Sequence, residues 1–344
     1  MRPNFFLHLH PPHIPAEQAR WRYTLGAGGT AVFLVLVLVV SGLLEMFYYV
    51  PSPSDAALSI QTLSYLVPFG GLVRNIHFWA AQLLVVVVVL HLVRVVLTGA
   101  YAPPRRFNYL LGLALFAMVI MLDFTGYILR WDKGIQWALV VGTNLVKSIP
   151  WAGNLLYRIV IGGEYPGAPT LTRFFSWHIY GLMLPVAVLV GWHVFRVRRD
   201  GGIAVPPPHL RTDTKRISRD ALMHQEVIAM LLCGSALLLL SAIAPAPIAP
   251  AITKITAESG DASAPWFFLW IQQMLKWGNP FIWGVVVPLV ILTLIGLIPF
   301  VFPLPALKHL GRWLPPSNRL AQIMLVVLGL VVLLLTMFEL YPVF

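Results

Sequence analysis

The sequence predicts an all-α integral membrane protein with seven transmembrane helices, four in a first bundle and three in a C-terminal module. Three observations carry this. Of 344 residues, 58% are hydrophobic and only 11% charged, a balance outside that of soluble domains. Apolar runs such as Ala31 to Val40, Leu83 to Leu90 and Ile323 to Leu335 sit inside stretches of the roughly 20 residues that helix needs to cross hydrocarbon. Those runs are continuous rather than alternating, which excludes a transmembrane β-barrel.

Seven spans are expected near 27–49, 72–98, 107–129, 174–198, 222–245, 281–302 and 319–341. The net charge of +11 would suggest nucleic acid in a soluble chain, but here the basic residues lie between apolar spans and read as topology signals, so no nucleic acid partner is expected. Arg2, Arg20 and Arg22 precede the first span; Arg94, Arg105 and Arg106 cluster around the second connection. Seven further cations from Arg196 to Arg219 follow the fourth span, and Lys308, Arg312 and Arg319 the sixth. That side is expected to be cytoplasmic, which puts the N-terminus inside and the C-terminus outside a cell membrane. Met1 to Arg22 shows no compact apolar run with a small-residue cleavage site, so no secretory signal is expected.

The connection 130–173 has room for short interfacial helices, with the amphipathic stretch Trp137 to Ile161 as the candidate. A Pro-rich, charged linker over 201–221, including Pro206 to Pro208, divides residues 1–200 from residues 222–344. Cys233 is alone in an apolar stretch and offers neither a disulfide nor a haem-attachment motif. His8, His10 and His13 form a short cluster best read as a solvated tail, and His209, His224 and His309 lie near the cytoplasmic side.

Four other histidines fall inside spans: His77 and His91 in the second, His178 and His193 in the fourth. A polar ring in hydrocarbon needs a reason. Separations of 14 and 15 residues put the rings of each helix about 21 to 23 Å apart along its axis, and at about 100° per residue each pair shares one face. Two helices of this kind can clamp two cofactors, one above the other. Imidazole is an axial ligand for haem iron, and bis-histidine ligation gives an electron-transfer centre. Interhelical hydrogen bonding is the alternative for any single histidine. Gly28 and Gly42 in the first span, and Gly112 and Gly126 in the third, repeat the separation of 14. A missing Cβ at those levels lets a flat macrocycle edge approach the backbone; helix packing through small residues is the other use. The first bundle is therefore expected to be a four-helix haem-binding bundle.

The chain resembles the cytochrome b family of quinol-oxidising complexes, closest to a fusion of cytochrome b-six with subunit four. The residues that carry the resemblance are Phe47-Tyr48-Tyr49, Arg74 to His77, His91 to Gly99, Thr125 to Trp131 and Leu171 to Phe175. It implies a di-haem subunit that moves electrons across the membrane between an outer quinol site and an inner quinone site. His77 and His178 would hold the outer haem b iron, His91 and His193 the inner one. Arg74 and Arg173 would face propionates at the outer end, or else serve as interfacial charges; Arg94 and Arg198 are similarly placed at the inner end. Tyr127, Trp131, Trp266 and Phe267 would line the outer quinol pocket, although an interfacial aromatic belt uses the same residue types. Implied partners are a Rieske iron–sulfur protein, a c-type cytochrome or other redox subunits, membrane lipids and a second copy of the chain.

Three departures from the family pattern matter. Gly26 stands where b-six proteins attach a covalent extra haem, so none is expected. Arg130 interrupts the family's Leu-Pro-Trp turn. The Pro-Glu-Trp-Tyr motif reads Ala264-Pro265-Trp266-Phe267, without its glutamate. Glu45, Asp123 and Asp132 are the acidic residues toward the same end that could replace it, with neutralisation by Arg130 or a haem edge as their alternative role. The missing glutamate leaves a second function open: a transmembrane haem b conduit for a non-Rieske partner such as a molybdenum enzyme or multihaem cytochrome.

Overall fold

The computed structural model describes residues 11–211, 215–252 and 264–341; His8 and His10 lie outside them. Seven helices are long and apolar enough to cross a bilayer. They are α1 (Ala27–Met46), α3 (Gly70–Leu97), α4 (Arg106–Leu129), α7 (Ala168–Arg199), α8 (Arg219–Ile243), α10 (Phe281–Val301) and α11 (Arg319–Leu340). Between them lie α2 (Ala56–Tyr65), α5 (Gln136–Lys147), α6 (Gly153–Ile161) and α9 (Leu269–Leu275). All seven expected spans are present within a few residues, and the expected short helices of the 130–173 connection are α5 and α6. Their outward faces stay apolar: Leu36 is 60% exposed, Leu231 65% and Leu333 61%, the signature of side chains meant for lipid.

Two wide turns were not legible in the sequence. Residues Trp177–Met183 in α7 and Ile282–Val286 in α10 are π-helical. In each case a proline follows, Pro185 and Pro288. Proline has no N–H to give the carbonyl four residues back, and its ring crowds that carbonyl. The helix widens ahead of it to i→i+5 bonding.

Helix α3 is the hub. It packs against α1, α4, α8 and α11, while α7 packs along α4 and α10 reaches α4. The two histidine-bearing helices, α3 and α7, have no extended backbone packing with each other among the described residues. An interval between them is thus left for side chains. Midway along it lies an apolar layer: Leu34 on α1, Leu84 on α3, Val119 on α4 and Val186 on α7 are all nearly fully buried.

The segment after α7 is held rather than loose. Gln18 Nε2 donates to the carbonyls of Gly201 (3.1 Å) and Ile203 (2.9 Å), Tyr23 Oη to Ala204 (2.6 Å), and Arg105 to Asp200 (3.0 Å). Burial pushes the Tyr23 hydroxyl pKa up, against the pull of Arg94. Strand β1 (His13–Pro15) pairs antiparallel with β2 (Arg216–Ser218), just before α8. At the opposite end, α3 grips the last turn of α8 and the chain after it. Asn75 Nδ2 donates to Ser241 O (2.9 Å), Trp79 Nε1 to Ala244 O (2.7 Å), and Ala246 N to Asn75 Oδ1 (2.9 Å).

Candidate functional site

The four intramembrane histidines come to two levels of the α1–α3–α4–α7 bundle, and a glycine backs each one. A Cβ built on Gly42 would lie 3.0 Å from His77 Cε1, one on Gly126 2.9 Å from His178 Cε1, one on Gly28 3.4 Å from His91 Cε1 and one on Gly112 3.1 Å from His193 Cε1. An imidazole edge thus lies against each of the four glycines. The space they free is taken by the imidazole rings, which seats each ring at one rotation. The unequal steps of 14 on α3 and 15 on α7 also find their reason: the π-helical turn over Trp177–Met183 absorbs the extra residue.

At the level of His77 and His178, two hydroxyls hold the rings. Ser41 Oγ donates to Val37 O (2.7 Å) and meets His77 Nδ1 at 2.9 Å. Thr125 Oγ1 donates to Met121 O (2.9 Å) and meets His178 Nδ1 at 2.9 Å. A hydroxyl has one proton; with that proton on the helix carbonyl, the imidazole supplies the N–H. A ring protonated at Nδ1 keeps its Nε2 lone pair for a metal, the outer-sphere arrangement of ligating histidines. The sequence signal for these hydroxyls is the residue before the glycine, Ser41-Gly42 and Thr125-Gly126.

At the level of His91 and His193 the ring centroids are 6.4 Å apart with planes at 77°. That interval has room for one metal ion at about 2 Å from a nitrogen of each ring. No hydroxyl bonds either ring among the described residues; the His193 ring instead faces the backbone of Asn108. Ala27 and Leu111 precede the glycines here. Around these two rings opens a largely apolar cavity of about 790 Å³, bordered also by Gly28, Gly112, Arg94, Arg198 and Glu226, in the size range of cofactor sites, roughly 300–1,000 Å³. Arg94 donates Nε to Tyr23 O (3.0 Å) and stacks over the Tyr23 ring at 4.2 Å. Its Nη2 is buried and unpartnered. A buried guanidinium with a free donor, two facing imidazoles and an apolar enclosure fit a haem with its anionic edge toward Arg94.

The remaining predicted residues are spread more widely. Arg74 gives Nη1 to Ala246 O (3.1 Å) and Nη2 to Pro247 O (2.5 Å). Arg173 donates to the carbonyls of Arg158 and Ile159. Both thus spend donors on backbone rather than on the bundle interior. Trp131 is 2% exposed and packs with Ile128, Leu139, Leu171 and Phe174 as core, not as an open pocket wall. Tyr127 packs at the edge of the same cluster and donates its hydroxyl to Gly134 O (2.7 Å). Phe267 belongs to the cluster around Leu34 and Leu84, and Trp266 Nε1 donates to Gln82 Oε1 (2.7 Å). The four aromatics expected to line one pocket thus form two pairs, Tyr127 with Trp131 in one cluster and Trp266 in ring contact with Phe267 at 5.6 Å. Phe124 links them, with ring centroids 6.2 Å from Phe174 and 5.8 Å from Phe268. Of the acidic candidates, Asp132 pairs with Arg130 at 2.7 Å and accepts from Ala249 N (3.2 Å). Glu45 keeps Oε1 buried and unpartnered.

The family model described as Cytochrome b(N-terminal)/b6/petB matches residues 82–254, half of the chain. The chain belongs to the cytochrome b family. Among cytochrome b relatives, the menaquinol:cytochrome c reductase cytochrome b subunit of Geobacillus thermodenitrificans is 34% identical over 195 residues, 56% of this chain and 87% of the relative. Cytochrome b6 of Synechococcus elongatus is 35% identical over 191 residues, 56% of this chain and 86% of that one. In structure, the chain resembles one from a hyperthermophilic respiratory Complex III, with a TM-score of 0.78 at 23% identity, covering 93% of this chain and 84% of the other. This is a multi-pass, helical membrane protein of the cytochrome b fold.

Proposed function

We propose that this chain is the di-haem cytochrome b subunit of a membrane quinol:acceptor oxidoreductase, carrying electrons between an outer quinol site and an inner quinone site. The observation behind it is the two levels of paired intramembrane histidines, each ring seated on a glycine. Haem b, when bound, supplies reversible one-electron chemistry at iron. His77 with His178, and His91 with His193, would be the ligands, with no covalent extra haem. Ser41 and Thr125 fix the ring tautomers at the outer level. The layer of Leu34, Leu84, Val119 and Val186 keeps water from joining the levels. Arg94 offers a cation to the inner one, and Arg198 borders the same cavity, where a quinone would bind beside the haem.

The same reading makes residues 1–200 the haem module, 201–221 the cytoplasmic linker and 222–344 the second module. It places the N-terminus in the cytoplasm and the C-terminus outside. A Rieske iron–sulfur protein and a c-type cytochrome are the partners this reading calls for, in a complex built on a homodimer.

Native purification, mass spectrometry of the co-purifying subunits and an optical haem count test this. Two b haems per chain with a Rieske partner are expected. The segment Ala264-Pro265-Trp266-Phe267, which carries no carboxylate, favours a second reading, a conduit; a molybdenum or multihaem partner without Rieske would select it. Fewer than two haems per chain in a haem-replete host would overturn both.

A further inference from the structure

A carboxylate within a membrane span costs several kcal/mol unless something near it makes use of the charge. Asp123 lies on α4 six residues before its last residue, about 9 Å of helix rise from the end. Among the described residues it has no cationic partner. Its neighbour is an amide: Gln82 Nε2, on α3, lies 3.2 Å from Oδ1 and 3.5 Å from Oδ2. Gln82 Oε1 in turn accepts from Trp266 Nε1 at 2.7 Å.

This row has one direction. An indole N–H can only donate, so Trp266 takes the amide oxygen and leaves the amide NH2 for Asp123. Asp123 must therefore accept, and the row stabilises its charged, proton-accepting form. Trp266 is 45% exposed and belongs to the segment 264–268, which has no ionisable side chain of its own. Phe124, the next residue after Asp123, meets Phe174 and Phe268 edge-on, which ties the 264–268 segment to this end of α4. Asp132 is already engaged by Arg130. No hydrogen bond links Glu45 to the 264–268 segment among the described residues.

We infer that Asp123, aimed by Gln82 and Trp266, is the proton acceptor for quinol at this end of the molecule. The inference rests on the reading of the chain as a quinol-oxidising subunit. In the step it performs, the quinol O–H bond breaks and a carboxyl O–H bond forms. Quinol becomes its monoanion and the aspartate a neutral acid; no electron moves.

The test uses the purified, haem-loaded complex and a short-chain naphthoquinol. Asp123→Asn is expected to slow quinol-driven haem reduction on the order of 10²-fold, as loss of a general base does. Haem content and the dithionite-reduced spectrum stay unchanged, and Asp123→Glu recovers most of the rate. A structural lesion would not produce the accompanying infrared result: a protonated-carboxyl band appears on quinol addition to the wild type and is missing in Asp123→Asn. If the wild-type complex reduces its haem and Asp123→Asn does so equally fast, or Glu45→Gln is the slow variant instead, the inference is overturned while the functional reading stands. If quinol fails to reduce even the wild-type haem, the functional reading falls and the proton-acceptor role with it.

Discussion

The two histidine levels solve the same seating problem differently. At the level of His77 and His178, hydroxyls from Ser41 and Thr125 fix both rings and hand their own protons to helix carbonyls. Arg74, nearby on α3, is tied to the backbone at 246 and 247. At the level of His91 and His193 no hydroxyl assists, and the rings border a cavity of about 790 Å³ that Arg94 enters with a free donor. One level is held by side-chain hydroxyls; the other has none beside its rings. The difference shows that a repeated spacing need not mean a repeated environment, because the residue beside each glycine decides what the ring can bond.

The largest test of this contrast is removal of a ligand. His178→Ala and His91→Ala are each expected to lower the haem count from two to one per chain, read by the reduced b-type absorbance. Loss of both haems from either variant would show the levels to be one folding unit. Next come the glycines. Gly42→Ala and Gly126→Ala place a Cβ within 3.0 and 2.9 Å of a ring and should empty the first level in haem-retention assays. Gly28→Ala, at 3.4 Å, should keep the second filled. Thr125→Ala removes an outer-sphere partner and should weaken haem retention at the first level about 10- to 100-fold, measured by haem transfer to an acceptor globin. The second level has no equivalent variant, since Ala27 and Leu111 already stand there. Smallest is the arginine pair. Arg94→Gln takes a cation from the second level and should lower the midpoint potential of that haem alone in a redox titration. Arg74→Gln should leave both potentials in place and cost roughly 2 kcal/mol of stability through lost hydrogen bonds from a charged donor.

Much of this was legible in the sequence because bilayer physics leaves few choices. An apolar run of sufficient length must be a helix, and a histidine within it must have a use, so seven spans and the quartet of rings followed directly. What escaped depends on contacts between segments far apart in the chain. The ring lying against each glycine is one such contact. The widened turn before Pro185 was implicit in the proline, but spacing arithmetic assumed uniform α-helix. The aromatic group shows the same dependence: Tyr127, Trp131, Trp266 and Phe267 share a depth, while packing puts Trp131 in the core and Trp266 against Gln82. Depth along a span is written in the sequence, whereas azimuth and loop path are not.

The grip of α3 on the chain after α8 has a consequence for how such a protein can be encoded. Asn75, Trp79 and Arg74 reach across to 241–247, and β1 meets β2 beyond residues 212–214. Each side of that short stretch is anchored by partners that do not depend on the peptide bonds joining them. A reading frame broken there yields two translation products that still carry matching surfaces. Whether one gene or two specifies this molecule is, for its assembly in the bilayer, a matter of stoichiometry rather than of structure.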